Sequence, residues 1–190
     1  MTVPADGRAG GASGVSDGDA VFVEARQALR RGDFSQLAPL FERDPAGADA
    51  RAPIVRWHLE RRFDDEPEAL AEALTCACFL GQAEVAEYFL RQGVPTLGGA
   101  ATGLNAFHWA ANRGQLEAVR LLIRWRALFG TRSMYGGNVL DTAVWSAINE
   151  PRPDHLRIIE ELIEAGARLE HEPFPTGHAD IDELLRRAQP

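Results

Sequence analysis

The chain has 190 residues, of which 45% are hydrophobic and 25% charged, and its 28 acidic and 20 basic residues leave a net charge of −8 at pH 7. That length suits one domain, which can bury roughly 70% of its unfolded surface, and the composition excludes wholesale disorder. The acidic balance opposes polyanionic partners, so neither nucleic acid nor an anionic membrane is expected.

No apolar run approaches the ~20 residues of a membrane span. The first twenty residues carry a single Arg and no apolar stretch of the secretory kind, so a cytoplasmic location is expected. Every basic residue is Arg and none is Lys, a bias of GC-rich coding genomes that points to a bacterial source. Cys76 and Cys78 stand two apart on a predicted helix, where their side chains diverge, so reduced, buried thiols are expected.

In chain order, residues 1–19 are rich in Gly, Ser, Ala and Asp and read as a flexible tail. From Ala20 apolar residues recur at helical spacing. The first predicted helix pair turns at Gly32-Asp33, and a separate helix follows over Ala52–Phe63. Three further pairs turn at Gly81, at Gly114 and near Asp154, and the stretch from His178 supplies a last helix. No segment alternates like a strand over a useful length, so the predicted class is all-α.

The pairs are copies of one another. Gly81 and Gly114 lie 33 residues apart, and Ala77–Val85 aligns with Ala110–Ala118. A third copy carries Leu140, Ala143 and Val144 where the second has Phe107, Ala110 and Ala111. Asp154 replaces its turn glycine, 40 residues after Gly114, so about seven residues are inserted over Ala147–Pro153. Gly32 to Gly81 is 49 residues, which implies a 16-residue insertion holding the extra helix. Short amphipathic pairs cannot bury their apolar faces alone and must stack. Ala77, Ala110 and Ala143 recur where helices approach closely, and Asn105 and Asn138 are placed as N-caps.

With these residues the sequence resembles the ankyrin repeat family over about residues 20–187. The best copy is Asn105-Ala106-Phe107-His108-Trp109-Ala110-Ala111, followed by Gly114 and Leu121-Leu122-Ile123. Glu72-Ala73-Leu74-Thr75 and Asn138-Val139-Leu140-Asp141 hold the same start in the flanking copies. The resemblance implies an all-α solenoid of stacked helix-turn-helix repeats with degenerate capping repeats. The expected division is a cap over 20–45, an insertion over 46–66, repeats over about 67–101, 102–135 and 136–170, and a cap helix over 177–188.

Little in the sequence suggests catalysis. His58, His108, His155, His171 and His178 form no metal or nucleophile motif and fall on different copies. In the resembled family the residue matching His108 is a structural, hydrogen-bonding histidine between repeats. The carboxylates read as a solvated acidic face. No phosphate-cradling glycine loop is present, and Gly98-Gly99 and Gly136-Gly137 are read as turns of the hairpin fingers.

The resemblance further implies that a protein partner binds the concave face, through finger tips and two positions late in each first helix. Carried over residue by residue, these are Arg30, Arg31, Phe79, Leu80, Asn112, Arg113, Trp145 and Ser146, with Leu104, Met134, Tyr135 and Asn138 at the fingers. Aromatic residues beside Arg have the composition of an interface hot spot. Trp109 and Trp125 are assigned to packing, and Trp57 to docking the extra helix. The expected function is therefore a monomeric, non-enzymatic protein-binding module without cofactor. An immunity-like or antitoxin-like inhibitor of a basic enzyme is one alternative. A metal protein or enzyme using Cys76, Cys78 or the histidines is another.

Overall fold

The computed structural model describes residues 17–43, 49–100, 102–171 and 174–187. Its helices are α1 (Asp17–Arg31), α2 (Ala38–Phe41), α3 (Pro53–Leu59), α4 (Pro67–Leu80), α5 (Ala83–Arg91), α6 (Ala106–Asn112), α7 (Leu116–Arg124), α8 (Val139–Asn149), α9 (His155–Glu164) and α10 (Ala179–Arg187). A 3₁₀ turn, Phe34–Leu37, precedes α2, and the described residues contain no strand. The expected tail over 1–19 falls mostly outside the described residues, but α1 already begins at Asp17.

Two layers follow from the apolar periodicity. The inner layer runs α1, α4, α6, α8, each against the next, and the outer layer runs α5, α7, α9, with α10 closing on α9. Ala77, Ala110 and Ala143 are fully buried between inner helices, where a larger side chain would force the backbones apart. Phe89, Phe107, Leu122 and Ile159 fill the space between layers without exposed surface to speak of. Each such side chain contributes about 1.5–3 kcal/mol of burial.

The helix ends repeat as the sequence does. At the end of the inner helix, Gly32, Gly81 and Gly114 take left-handed backbone at φ 77°, 74° and 69°. The residue after each donates to a carbonyl back in the helix: Asp33 to Ala28 at 3.0 Å, Gln82 to Ala77 at 2.9 Å, Gln115 to Ala110 at 2.9 Å. The outer helices end on the same device at Gly93, Arg126 and Gly166. Asn105 caps α6 by accepting from the N–H groups of Phe107 and His108, at 3.0 and 3.1 Å. Asn138 caps α8 through a reciprocal box with Asp141.

α4 starts at Pro67, whose fixed φ suits a first turn, so Glu72, matched to the start of the repeat motif, lies inside the helix. The extra helix is α3, and Trp57 does dock it, meeting Phe22 edge-on at 5.2 Å. α3 also reaches α5, where His58 Nδ1 lies 2.7 Å from the Tyr88 hydroxyl.

Candidate functional site

Two of the loops that follow outer helices are pinned by a carboxylate from the inner helix behind them. Glu72 Oε1 accepts from Gly99 N and Ala100 N at 2.7 and 2.9 Å. Asp141 Oδ1 accepts from Glu170 N and His171 N at 2.9 and 2.8 Å. His108 holds the corresponding place in the middle, beside the backbone of Thr131 and Gly137. Its ring is buried, which lowers its pKa to about 4, and the two backbone contacts pull it the other way. Neither ring nitrogen finds a partner in hydrogen-bonding geometry, so His108 spans two repeats as expected but by loose polar contact. Burial likewise raises the pKa of Glu72, whose Oε2 is buried and unpartnered.

The loops wall a cleft of about 750 Å³ against the ends of the inner helices. Phe79 from α4, Trp109, Asn112 and Arg113 from α6 and its end, and Thr142 and Trp145 from α8 form the floor and one side. Leu104, Ser133 and Tyr135 from the loops form the other, and Glu150, Asp141 and His171 complete the rim. The volume is in the range of binding pockets.

An aromatic cluster shapes the floor. Phe79 and Trp109 meet edge-on at 5.0 Å, and Phe34 backs both rings at 5.6 and 6.3 Å. The Arg113 guanidinium lies over the Phe79 ring at 4.8 Å, a cation–π contact. Burial, and then the neighbouring charge of Arg152, lower the pKa of Arg113, against an opposing pull from Glu150. Trp145 stands on the wall with 43% of its surface exposed, while Val144 and Ser146 beside it are fully buried. Tyr135, at a loop tip, is 77% exposed.

A family model for ankyrin repeats, in three copies, matches residues 48–132 and 74–172. The chain belongs to the ankyrin repeat family. The crystal structure of the ankyrin repeat protein EF0377 is similar in fold, with a TM-score of 0.51 at 16% identity, covering 86% of this chain and 96% of that one. No curated protein matches the sequence.

Within the ankyrin stack, six of the twelve residues carried over from the family gather at the cleft: Phe79, Leu104, Asn112, Arg113, Tyr135 and Trp145. Met134 is exposed next to Tyr135, and its N–H donates to Gly103 O at 3.0 Å, tying neighbouring fingers. The other five stand elsewhere. Ser146 has no exposed surface, because its Oγ accepts from the Asn112 amide at 2.9 Å in a link between inner helices. Asn138 is buried at the start of α8, and its amide donates to Arg168 O at 2.8 Å. Leu80 packs partly into the core. Arg30 and Arg31 sit on α1, away from the cleft, paired with Glu66 and Asp33.

The tryptophan assignments also change in part. Trp125 is 42% exposed and so is not a packing residue. Trp109 packs, with its indole N–H donating to Thr102 Oγ1 at 3.0 Å, yet it also lines the cleft. Thr142, Ser133 and Glu150 belong to the cleft without any sequence signal having marked them, and Asp141 and His171, noted only in a repeat start and among the histidines, join them there.

Cys76 and Cys78 are buried free thiols, and burial pushes Cys78 up to about 12, which keeps it protonated and unreactive. Among the described residues no cluster of three or more His, Cys, Asp or Glu could hold a metal ion. No described helix is long and apolar enough to cross a membrane.

Proposed function

We propose that the cleft is the docking site for a protein partner, and that the chain is a non-enzymatic binding module acting as a monomer in the cytoplasm. Ankyrin repeats in general mediate protein–protein interaction, which supports the class of function. The observation that carries the site is Trp145, a large aromatic left 43% exposed on the wall of a preformed cleft while its helix neighbours are buried. An exposed aromatic in a concavity is where interface energy concentrates. The loops held by Glu72 and Asp141 are ordered before binding, which limits ordering costs.

The test is affinity capture from the source organism's lysate with wild type and a Trp145→Ala/Tyr135→Ala double variant. A protein retained only by the wild type supports the reading, and equal retention contradicts it. The net charge of −8 favours a second reading, an inhibitor that occludes a basic enzyme through its acidic surface. That reading predicts an association rate that falls steeply with salt and is indifferent to Trp145→Ala.

A further inference from the structure

The arginines of this chain mostly meet carboxylates: Arg26 and Arg30 share Glu66, Arg120 and Arg157 reach Glu161, and Arg132 pairs with Glu170. Arg113 does not. It lines the cleft, its Nε is shut off from water without a partner, and no carboxylate lies within ion-pairing distance among the described residues. Arg152 adds to the imbalance. Its Nε is buried and unpartnered too, its side chain abuts the Gly114 turn next to Arg113, and its charge acts on the Arg113 guanidinium.

The cleft's own carboxylates do not satisfy this charge. Asp141 is committed to the N–H groups of Asn138, Glu170 and His171, and Glu150 attracts Arg113 without pairing with it. A partly desolvated, unpaired guanidinium gains from an incoming anion far more than an exposed one does. A planar carboxylate matches the guanidinium fork of Arg113 and its single positive charge. The aromatic floor and Trp145 wall beside Arg113 suit an apolar side chain next to that carboxylate.

We propose that Arg113 anchors an Asp or Glu carboxylate on an extended segment of the partner protein, with an adjoining apolar side chain of that segment against Trp109 and Trp145. The proposal rests on the cleft being the docking site.

The experiment is selection from a displayed library of random 12-residue peptides against the full chain. Wild type and Arg113→Glu serve as parallel baits. Wild type should enrich peptides with an acidic residue next to an aromatic or aliphatic one, and Arg113→Glu should enrich Lys or Arg at that position. The best peptide and its Gln-substituted counterpart are then titrated against wild type, Arg113→Gln and Arg113→Lys, with circular dichroism to establish that each variant is folded. Arg113→Gln should weaken the acidic peptide by about tenfold or more and leave the Gln peptide almost unchanged, while Arg113→Lys retains part of the preference. Equal loss for both peptides overturns the anchor. Enriched peptides without an acidic position that are nevertheless lost on Trp145→Ala overturn Arg113 as anchor and leave the docking site standing. Failure of wild type to retain any peptide overturns both.

Discussion

Gln115 and His155 hold the same place in successive repeats and make the same bond with different chemistry. Gln115 Nε2 donates to Phe79 O at 3.2 Å, and His155 Nε2 lies 3.2 Å from Asn112 O, each target being a carbonyl near the end of the preceding inner helix. His155 Nδ1 accepts from Arg152 N at 3.1 Å, so the network assigns its proton to Nε2 and leaves the ring neutral. Burial lowers its pKa in keeping with that state. The inserted residues before α9 thus end on a histidine that restores the tie of the regular repeat.

His155→Ala should cost about 1–2 kcal/mol, the value of a buried hydrogen bond and its stranded carbonyl. His155→Gln can still reach Asn112 O as Gln115 reaches Phe79 O, and should lose clearly less. Urea unfolding of the three proteins decides the point, and equal losses for Ala and Gln would contradict the tie.

Stability should also fall with acid in a window set by His108. Its pKa is about 4 in the folded chain against 6.5 as a free side chain, so the unfolded chain takes up the proton first. The contribution is complete above pH 6.5, declines as pH falls from 6.5 to 4, and amounts to roughly 3 kcal/mol over that window. His108→Gln should flatten this part of the profile while His58 and His155, also lowered by burial, keep theirs. An unchanged slope in chemical unfolding between pH 6.5 and 4 would count against the burial of a neutral ring.

Arg126 occupies the left-handed position that Gly93 and Gly166 hold in the neighbouring repeats, at φ 55°. A side chain pays for that conformation and glycine does not, although glycine loses more entropy on folding. Arg126→Gly should raise stability by about 0.5–1 kcal/mol. A lower thermal midpoint for the variant would show that the Arg126 side chain earns its place by contacts.

Gly114 is restricted twice over. It has φ 69°, and a Cβ there would lie 3.0 Å from Arg152 Cβ and Cδ. Gly114→Val should cost about 2 kcal/mol or more and disturb the His155 tie beside it. An unchanged unfolding midpoint would refute both restrictions.

The inner and outer helices were legible because burial imposes a period: Ala77, Ala110 and Ala143 had to be small, and the turn glycines marked each helix end. The start of α4 was legible too, since the apolar spacing runs back to the Pro67 that opens it, ahead of the motif position at Glu72. Half of the cleft was legible through positions carried over from the family. Ser146 and Asn138 misled because family positions do not show local hydrogen bonding, which takes Ser146 to Asn112 and Asn138 to Arg168 O. The loop contributions from Ser133 and His171 depend on non-periodic backbone, His171 N held by the distant Asp141 and Ser133 N by Gly137 O, and such contacts leave no periodic pattern.

The most direct test of the account is capture of a partner by wild type, by Trp145→Ala/Tyr135→Ala and by Trp125→Ala, the last removing a tryptophan that is 42% exposed but outside the cleft. All three should unfold at nearly the same temperature. The account predicts that wild type and Trp125→Ala retain the same protein and that the double variant loses it; retention by the double variant at wild-type level would contradict a docking site in the cleft.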